Sequence, residues 1–344
     1  MNLTIKKIFV IFSVAVMAGS YPVIAAATEK YSEARPLFGT LVKIDACYEK
    51  ENEPKAMTAV QKAWARLDEI QWRMNIYDER SDVIKINNAQ GKEVEVGADM
   101  YELLTDSVSF TKLTGGVFDI TVYPLIKVWK KAQEENKMPS EEELRHAKDA
   151  VGSANIEFLE GNRVRLLKSE AAIDINGIAS GYGADEAARI LKENGLHDFL
   201  VDTGGELFAS GVNCRKEPWR IGISDPREPV ELIDVIALDN IGVSTSGDYE
   251  KYYEIQGKRW SHIINPITGY PQMQVTSATV IAPTATAADA LSTALCVLGG
   301  KKGIALIDSL QGNFAAVIFE KDGAQLATFK SAKYEQFRFK KPLP

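Results

Sequence analysis

The chain has 344 residues, of which 45% are hydrophobic and 25% are charged, and its formal net charge is −7. This length suits one large domain or two closely packed lobes. The acidic balance and the lack of a basic cluster argue against nucleic acid and anionic membrane surfaces as partners.

Residues 1–27 have the pattern of a secretory signal peptide. Lys6 and Lys7 form a short basic region, residues 8–18 an apolar run, and residues 23–27 offer small side chains for cleavage. The apolar run is short for a membrane span, although an uncleaved anchor is the alternative. No Cys lies near the cleavage site, so we do not expect a lipoprotein. We therefore expect residues 28–344 to form one exported domain, in the periplasm or cell envelope.

The mature chain mixes strand and helix patterns without a regular βαβ rhythm. In chain order the patterns predict a strand at 41–48, helices at 54–76 and 98–113, a short helix capped by Ser140, a buried strand at 171–175, a helix at 184–194, strands at 199–201, 219–223 and 232–238, a helix around residue 289 that ends at Gly299, and a hairpin of strands 314–320 and 324–329. We expect an α+β fold, a single mixed domain or two lobes, with the ligand in a central cleft.

The cysteines and histidines are too few and too widely spaced for a zinc site. Cys47, Cys214 and Cys296 match no zinc pattern, and one disulfide could form in an oxidising compartment. Cys296 follows Asp289 by two helical turns on the same face, as expected of a small buried side chain.

An almost wholly apolar, Ala-rich helix carries a single carboxylate at Asp289. Residues four apart share a helix face, so Thr293 stacks on Asp289, and Ser292 lies beside them. A carboxylate and hydroxyls on a face that otherwise favours burial indicate a hard cation held by oxygen ligands. The alternative is an acidic residue that only complements the helix dipole.

Two Gly-containing segments could approach a ligand. Residues 174–185 join the predicted strand to a helix N-terminus, and Gly177, Gly181 and Gly183 there would let the backbone approach an anion closely, although the spacing fits neither a P-loop nor a dinucleotide fingerprint. In residues 115–124, Asp119 and Thr121 share one face of an extended chain and could grip a ligand. The alternatives are a tight strand–helix turn and a local cap made by Asp119.

His262 is the histidine best placed for chemistry. It lies between Trp260 and an apolar Ile263-Ile264 pair that leads into Asn265-Pro266. Such a half-buried histidine can act as a general acid or base, or can be a satisfied core residue. Upstream, residues 244–249 form a predicted hydroxyl-rich loop that could donate to phosphate oxygens or be a plain polar turn.

Taken together, these segments resemble the ApbE family of FAD:protein FMN transferases. The matching elements occur in family order and cover most of the mature chain: residues 38–40, 74–77 with Ser81 and Asn87, 116–122, 174–185, 202–207, 244–249, 262–271 and 288–294.

The resemblance implies a function. Such enzymes bind FAD as substrate together with Mg²⁺ and transfer the FMN half to a Thr or Ser hydroxyl of an acceptor flavoprotein, releasing AMP. The family's natural acceptor is an electron-transfer flavoprotein that faces the same compartment, and it could belong to a peripheral membrane complex. The rival functions are a Mg²⁺-dependent FAD pyrophosphatase, in which water replaces the acceptor hydroxyl, and a flavin-binding protein without turnover.

The resemblance also implies residue roles. Metal ligands fall on Asp289, Thr293 and the carbonyl of Gly177, with Ser292 as an accessory ligand, and His262 and Asp289 are the catalytic residues. Flavin contacts fall on Phe38, Tyr77, Phe118, Asp119, Ile120, Asp174, Ser180 and Ile263. Ser180 departs from the family, which usually has a long Lys or Glu there, so the contact at that position is expected to differ.

Overall fold

A computed structural model describes residues 28–340 apart from residue 77, residues 249–250 and residue 324. The predicted signal peptide and Tyr77 therefore lie outside the described residues. The strands are β1 (Thr28–Leu37), β2 (Thr40–Glu49), β3 (Val94–Glu95), β4 (Ile156–Leu159), β5 (Arg163–Leu166), β6 (Asp198–Asp202), β7 (Glu206–Ser210), β8 (Trp219–Asp225), β9 (Glu228–Leu238), β10 (Ile241–Gly247), β11 (Tyr252–Ile255), β12 (Lys258–Ser261), β13 (Val275–Ala282), β14 (Ala315–Asp322) and β15 (Gln325–Lys330). The helices are α1 (Glu53–Met74), α2 (Asp82–Asn88), α3 (Ala98–Leu113), α4 (Tyr123–Glu134), α5 (Glu141–Asp149), α6 (Ala179–Glu193), α7 (Ala285–Ser309) and α8 (Tyr334–Phe337).

One eight-stranded antiparallel sheet organises the molecule, and the predicted α+β fold is confirmed. Its strand order is β1-β2-β6-β7-β10-β13-β14-β15, so the strands lie across the sheet in the order in which they occur in the chain. Tight turns join β1 to β2 and β6 to β7, where Gly39, Gly204 and Gly205 have positive φ angles that favour glycine. The connections from β2 to β6, from β7 to β10, from β10 to β13 and from β13 to β14 carry helices α1–α7 and three small sheets.

Strand β13 is buried on both faces, and its side chains alternate between two parts of the core. Ala278 and Val280 face the cluster formed with α7, whereas Ile281 faces the cluster formed with the β8–β9 hairpin. Helix α7 is long and apolar enough to cross a membrane, but it packs on β10, β13 and β14, and 50% of its most apolar window is buried, as in a core helix. Burying side chains such as Leu291 and Leu295 contributes about 1.5–3 kcal/mol each.

Two further apolar clusters flank this core. One joins α2, α3 and β3–β5 to the first turns of α6 and to Ala290 and Ala294 of α7. The other joins α4 and α5 to the β11–β12 hairpin through Trp129, Tyr253 and Trp260. The first of these clusters includes residues of the N-terminal turns of α6 and of the buried face of α7, where the sequence predicted the site.

Most predicted elements are confirmed, including the capping box at Ser140 and the break in the residue-289 helix at Gly299, beyond which the helix resumes to Ser309. Three predictions were wrong. Residues 171–175 are extended and buried but form no strand, because the Asn87 side chain pairs with both the N–H and the C=O of Ile173. Helix α6 begins at Ala179, five residues before the predicted start. Residues 244–247 are the end of strand β10 and not a loop.

Candidate active site

The N-terminal turns of α6 and α7 cap each other. The Oδ2 atom of Asp289 in α7 accepts a hydrogen bond from the backbone N–H of Gly181 in α6, at 3.0 Å. In the opposite direction, Asp185 of α6 accepts from the N–H groups of Ala285 and Thr286 in α7, each at 2.8 Å. Each carboxylate thereby satisfies donors that a helix start otherwise leaves unpaired. The two helices are fixed in one register at the predicted site.

Asp289 is a buried carboxylate held through one of its two oxygens. It is 3% exposed, and its Oδ2 accepts from the N–H of Gly181. Burial raises its pKa to about 7, the Gly181 N–H opposes this shift, and the negative charge of Asp185 adds to it. The arrangement favours a positive partner for Asp289.

Gly177 and Phe118 lie against Thr293, one turn beyond Asp289. A Cβ placed on Gly177 would lie 3.2 Å from Thr293 Oγ1 and 3.5 Å from Phe118 Cε2. Any larger residue at position 177 would therefore crowd the Thr293 hydroxyl. The predicted ligands Gly177 and Thr293 are thus neighbours in the structure.

Oxygen donors alone meet at this point. Among the described residues, no group of three or more His, Cys, Asp or Glu side chains could hold a metal ion. The set of one buried carboxylate, one hydroxyl and a nearby backbone segment fits a hard cation such as Mg²⁺, which prefers oxygen and keeps part of its water shell. The residues present therefore fit the ion that the sequence predicted.

Ser292 faces the sheet rather than Gly177. Its hydroxyl lies 2.9 Å from the Asp289 carbonyl oxygen, to which it donates, and 3.1 and 2.8 Å from the hydroxyls of Ser244 and Ser246 in β10. Ser246 also lies 3.4 Å from Thr293 Oγ1. This hydroxyl network explains why β10 is rich in Ser, and it occupies the Ser292 hydroxyl, whose role as accessory ligand stays a prediction.

Asp119 braces the loop beside Phe118. Its Oδ1 accepts from the N–H and the hydroxyl of Thr121, at 2.8 and 2.6 Å, and its Oδ2 accepts from the N–H of Ser153 at 2.9 Å. Burial raises the pKa of Asp119, and these hydrogen bonds oppose the shift. Local capping, the alternative reading of the sequence, is thus present, and contact with the flavin stays a prediction.

Asp174 is tied to the same loop and faces two lysines. Its N–H donates to the carbonyl of Ile120 at 2.7 Å, so these two predicted flavin contacts lie side by side. Burial raises the pKa of Asp174, whereas a backbone hydrogen bond from Asn176 and the charges of Lys130 and Lys251 lower it. Asp174 therefore lies within electrostatic range of α4 and of the segment before β11.

His262 is half-buried and is held by the same segment. Its Nδ1 lies 2.9 Å from the carbonyl oxygen of Lys251. Burial lowers the pKa of His262 below its usual 6.5; the hydrogen bond to Lys251 raises it, and the Lys251 charge lowers it. Ile263, the next residue, is buried in the cluster that contains α7. His262 and Asp174 are thus both under the influence of Lys251.

The remaining predicted contacts surround the start of α6. Phe38, in the β1–β2 turn, packs so closely on Gly183 that a Cβ there would lie 3.0 Å from its Cζ. Ser180 is half-buried in the first turn of α6, and its carbonyl accepts from Thr203 Oγ1 at 2.8 Å. We expected Gly181 and Gly183 to let a ligand approach the backbone. Instead, α7 packs against Gly181 and Phe38 packs against Gly183. A Cβ on Gly181 would lie 2.4 Å from the Ala285 carbonyl oxygen.

Asp185 is the residue that the sequence reasoning left without a role. It closes the segment 174–185, and it follows Gly181 by four residues just as Asp289 follows Ala285. Residues four apart share a helix face. The same four-residue spacing in both helices could therefore have indicated that their N-terminal turns meet. Neither helix, considered alone, indicates this contact.

Comparisons with known proteins point to one family. The model of the ApbE family matches residues 38–318. The chain is 34% identical over 283 residues to the FAD:protein FMN transferase of Haemophilus influenzae, covering 79% of this chain and 81% of that protein. It is 32% identical over 285 residues to the enzyme of the same name from Escherichia coli, covering 80% and 81%.

Solved structures show the same fold. The ApbE protein of Thermotoga maritima superposes with a TM-score of 0.80 and 34% identity, covering 91% of this chain and all of that one (100%). The flavin transferase ApbE of Vibrio cholerae superposes with a TM-score of 0.78 and 26% identity, covering 90% and 99%. The fold and the site thus define a flavin transferase type of protein. The chain belongs to the ApbE family, and the resemblance read from the sequence is confirmed.

Proposed function

We propose that this protein is an FAD:protein FMN transferase that depends on Mg²⁺. It transfers the FMN half of FAD to a Thr or Ser hydroxyl of an acceptor flavoprotein and releases AMP. The names of its relatives support the transfer of flavin to a protein. The observation that supports the metal-dependent step is the buried Asp289 carboxylate, one helical turn before Thr293, whose hydroxyl lies against Gly177.

Asp289, Thr293 and the carbonyl of Gly177 would hold the metal ion. When bound, Mg²⁺ supplies positive charge for the phosphoryl oxygens of FAD and orients the attacking and leaving oxygens. Burial of Asp289 at 3% exposure keeps competing water away from the carboxylate and strengthens its attraction to a cation. The N–H of Gly181 holds the other carboxylate oxygen in place.

His262 would accept the proton of the acceptor hydroxyl. A carbonyl oxygen only accepts hydrogen bonds, so the contact with Lys251 requires Nδ1 to carry the proton and leaves the lone pair on Nε2. Burial keeps the ring neutral near pH 7. An oriented neutral imidazole is suited to act as a general base.

The flavin would lie beside the contact between the β1–β2 turn and the start of α6. Phe38 and Phe118 offer rings for stacking there, and Tyr77 is a further proposed contact. Asp119, Ile120, Asp174, Ser180 and Ile263 complete the proposed contacts. Because Ser180 is shorter than the usual family residue, we propose a weaker contact with the substrate there.

We propose that the protein acts outside the cytoplasm, in the periplasm or cell envelope, on an acceptor in the same compartment. The signal-like pattern of residues 1–27 supports export. A disulfide between Cys47 and Cys214 also supports it, because such bonds persist in oxidising compartments.

One experiment separates transfer from its rivals. Residues 28–344 are incubated with FAD, Mg²⁺ and a candidate acceptor domain, and the acceptor mass and nucleotide products are recorded. We expect an FMN-sized mass gain on the acceptor with AMP release. AMP and free FMN with an unmodified acceptor would establish hydrolysis instead, and unchanged FAD with saturable binding would leave only flavin storage. An acceptor whose Thr or Ser is replaced by Ala serves as the matched control.

A further inference from the structure

The mutual capping of α6 and α7 places a second carboxylate behind the proposed metal site. Asp185 spans the first two residues of α7: Oδ1 accepts from the Ala285 N–H, and Oδ2 accepts from the Thr286 N–H. Oδ2 also accepts from Thr286 Oγ1 at 2.6 Å. These three bonds fix the start of the helix that carries Asp289 one turn later and Thr293 two turns later.

The start of α7 is also held sideways by backbone. A Cβ on Gly242 of β10 would lie 2.3 Å from the Ala285 nitrogen, and a Cβ on Gly181 would lie 2.4 Å from the Ala285 oxygen. Backbone therefore packs directly on backbone at both sides of Ala285. These contacts restrict sideways movement, while the hydrogen bonds of Asp185 restrict rotation and sliding along the helix axis.

Asp185 lies close enough to Asp289 for their charges to interact. Its oxygens accept from three donors of α7, and the charge of Lys192 lies within electrostatic range of it. A carboxylate placed only to cap a helix could be replaced by Ser, Thr or Asn at little cost. Unlike those neutral caps, a buried carboxylate also places negative charge near Asp289, which a cation bound there would offset.

We propose that Asp185 is a positioning residue of the metal site: it fixes α7 so that Asp289 and Thr293 meet Gly177, and it adds negative charge behind Asp289 without touching the ion. This inference rests on the proposed function. Residues that orient metal ligands from behind typically change metal affinity by about 10–100-fold when replaced.

The test uses Asp185→Asn and a matched control on the same helix end. Asn keeps the shape, but its NH₂ group would face one of the two N–H donors, and the charge is lost. The control is Thr284→Ala, which removes the cap hydrogen bond from the Ala287 N–H, 3.1 Å long, and leaves the contacts of Asp185 intact. Both variants lose capping, but only one loses the proposed positioning.

Binding of Mn²⁺, a spin-active substitute for Mg²⁺, is measured by electron paramagnetic resonance without any turnover. We expect the affinity to fall about tenfold or more in Asp185→Asn and to stay within about twofold in Thr284→Ala. Thr286→Val removes only the hydroxyl contact, so its Mn²⁺ affinity should lie between those of the two variants. Thr286→Ser keeps the hydroxyl and should have the wild-type affinity. These two variants keep the test decisive if Asp185→Asn fails to fold.

Two results would overturn the inference in different ways. Equal Mn²⁺ affinity in wild type, Asp185→Asn and Thr286→Val would show that Asp185 only caps a helix, and the proposed function would stand. If the wild-type protein bound no Mn²⁺ but still transferred FMN, the proposed metal site would be wrong, and the role of Asp185 with it. An Asp289→Asn variant measured alongside identifies the site that the signal reports.

Discussion

The Nδ1 atom of His262 lies 2.9 Å from the carbonyl oxygen of Lys251, and this contact fixes the tautomer of the ring. The lone pair is left on Nε2, and burial lowers the pKa of the ring below 6.5. His262 is therefore neutral and oriented at pH 7.

This relationship predicts the pH dependence of the reaction. Activity should be lost as the pH falls through the lowered pKa of His262, because protonation occupies Nε2. In His262→Gln, kcat/KM should fall by about 10²–10⁴-fold, and the acidic limb of the pH profile should disappear. The profile is measured by AMP release from FAD in the presence of acceptor. His146 is exposed, and His146→Gln should leave kcat/KM and the acidic limb unchanged. An acidic limb that persists in His262→Gln would assign it to another group.

Asp289→Asn should separate the charge of this residue from its structural role. Asn can still accept from the Gly181 N–H but cannot supply a charge, so we expect loss of Mg²⁺-dependent turnover in a folded protein. Asp289→Ala removes the charge and the acceptor of the Gly181 N–H. It should therefore also lower the free energy of unfolding, by about 1–3 kcal/mol, because that N–H is left unpaired. Full activity of either variant would refute the metal assignment. Stability is compared by urea unfolding.

The same residue should make the metal-free protein less stable at higher pH. The pKa of Asp289 is about 7 in the folded chain and 3.8 for a free side chain, so the folded state binds more protons between these values. By linkage, the contribution of Asp289 to stability is full below pH 3.8 and declines as the pH rises to about 7. Urea unfolding in EDTA should show a smaller decline in Asp289→Asn than in wild type. Identical slopes would mean that Asp289 is already ionised when folded.

Asp119→Ala should destabilise the fold whether or not this residue contacts flavin. The substitution removes bonds to Thr121 and Ser153 and leaves buried donors unpaired, which we expect to cost about 2–4 kcal/mol. Thr58→Ala, in an exposed turn of α1, should change stability by less than about 0.5 kcal/mol. A stable but inactive Asp119→Ala protein would instead place Asp119 in direct contact with the substrate.

The disulfide can be checked by counting thiols. The bond joins Cys47 to Cys214, and Cys296 is free and buried. The oxidised protein, denatured without reductant, should therefore take up one alkyl group, and the reduced protein three. Reduction should lower stability by about 4–5 kcal/mol in the chain-entropy account, since the bond closes a separation of 167 residues. Three accessible thiols before reduction would contradict the pairing.

Much of the fold could be predicted from periodicity, and the misses have physical causes. Residues 171–175 have the composition of a buried strand, but a single side chain, Asn87, provides the hydrogen bonds that a neighbouring strand would have made. Helix α6 contains Gly181 and Gly183, which lower helix propensity, yet close packing against α7 and Phe38 requires them. Tertiary contacts overrode the local signal in both places.

The chemistry of the site was more accessible to sequence reasoning than its geometry. Helical spacing alone places Asp289 and Thr293 on one face, whereas their proposed metal roles came from the family resemblance. Asp185 could not be recognised in this way, because its partners, Ala285 and Thr286, lie 100 residues away in the chain. For the same reason, the contact between Ser292 and strand β10 was unpredictable, as only the folded sheet brings Ser246 to within 2.8 Å of it.

The order of strands in the large sheet bears on how such a protein can diversify. Each strand lies beside its predecessor within the sheet, so every long connection leaves and returns at neighbouring positions. The segment from α1 to α6, the β8–β9 and β11–β12 hairpins, and α7 are each such excursions. Such a connection can lengthen, shorten or be exchanged between relatives without a change in the strand order of the sheet. The β11–β12 hairpin could thus be exchanged between family members while the sheet that supports Asp289 is left intact.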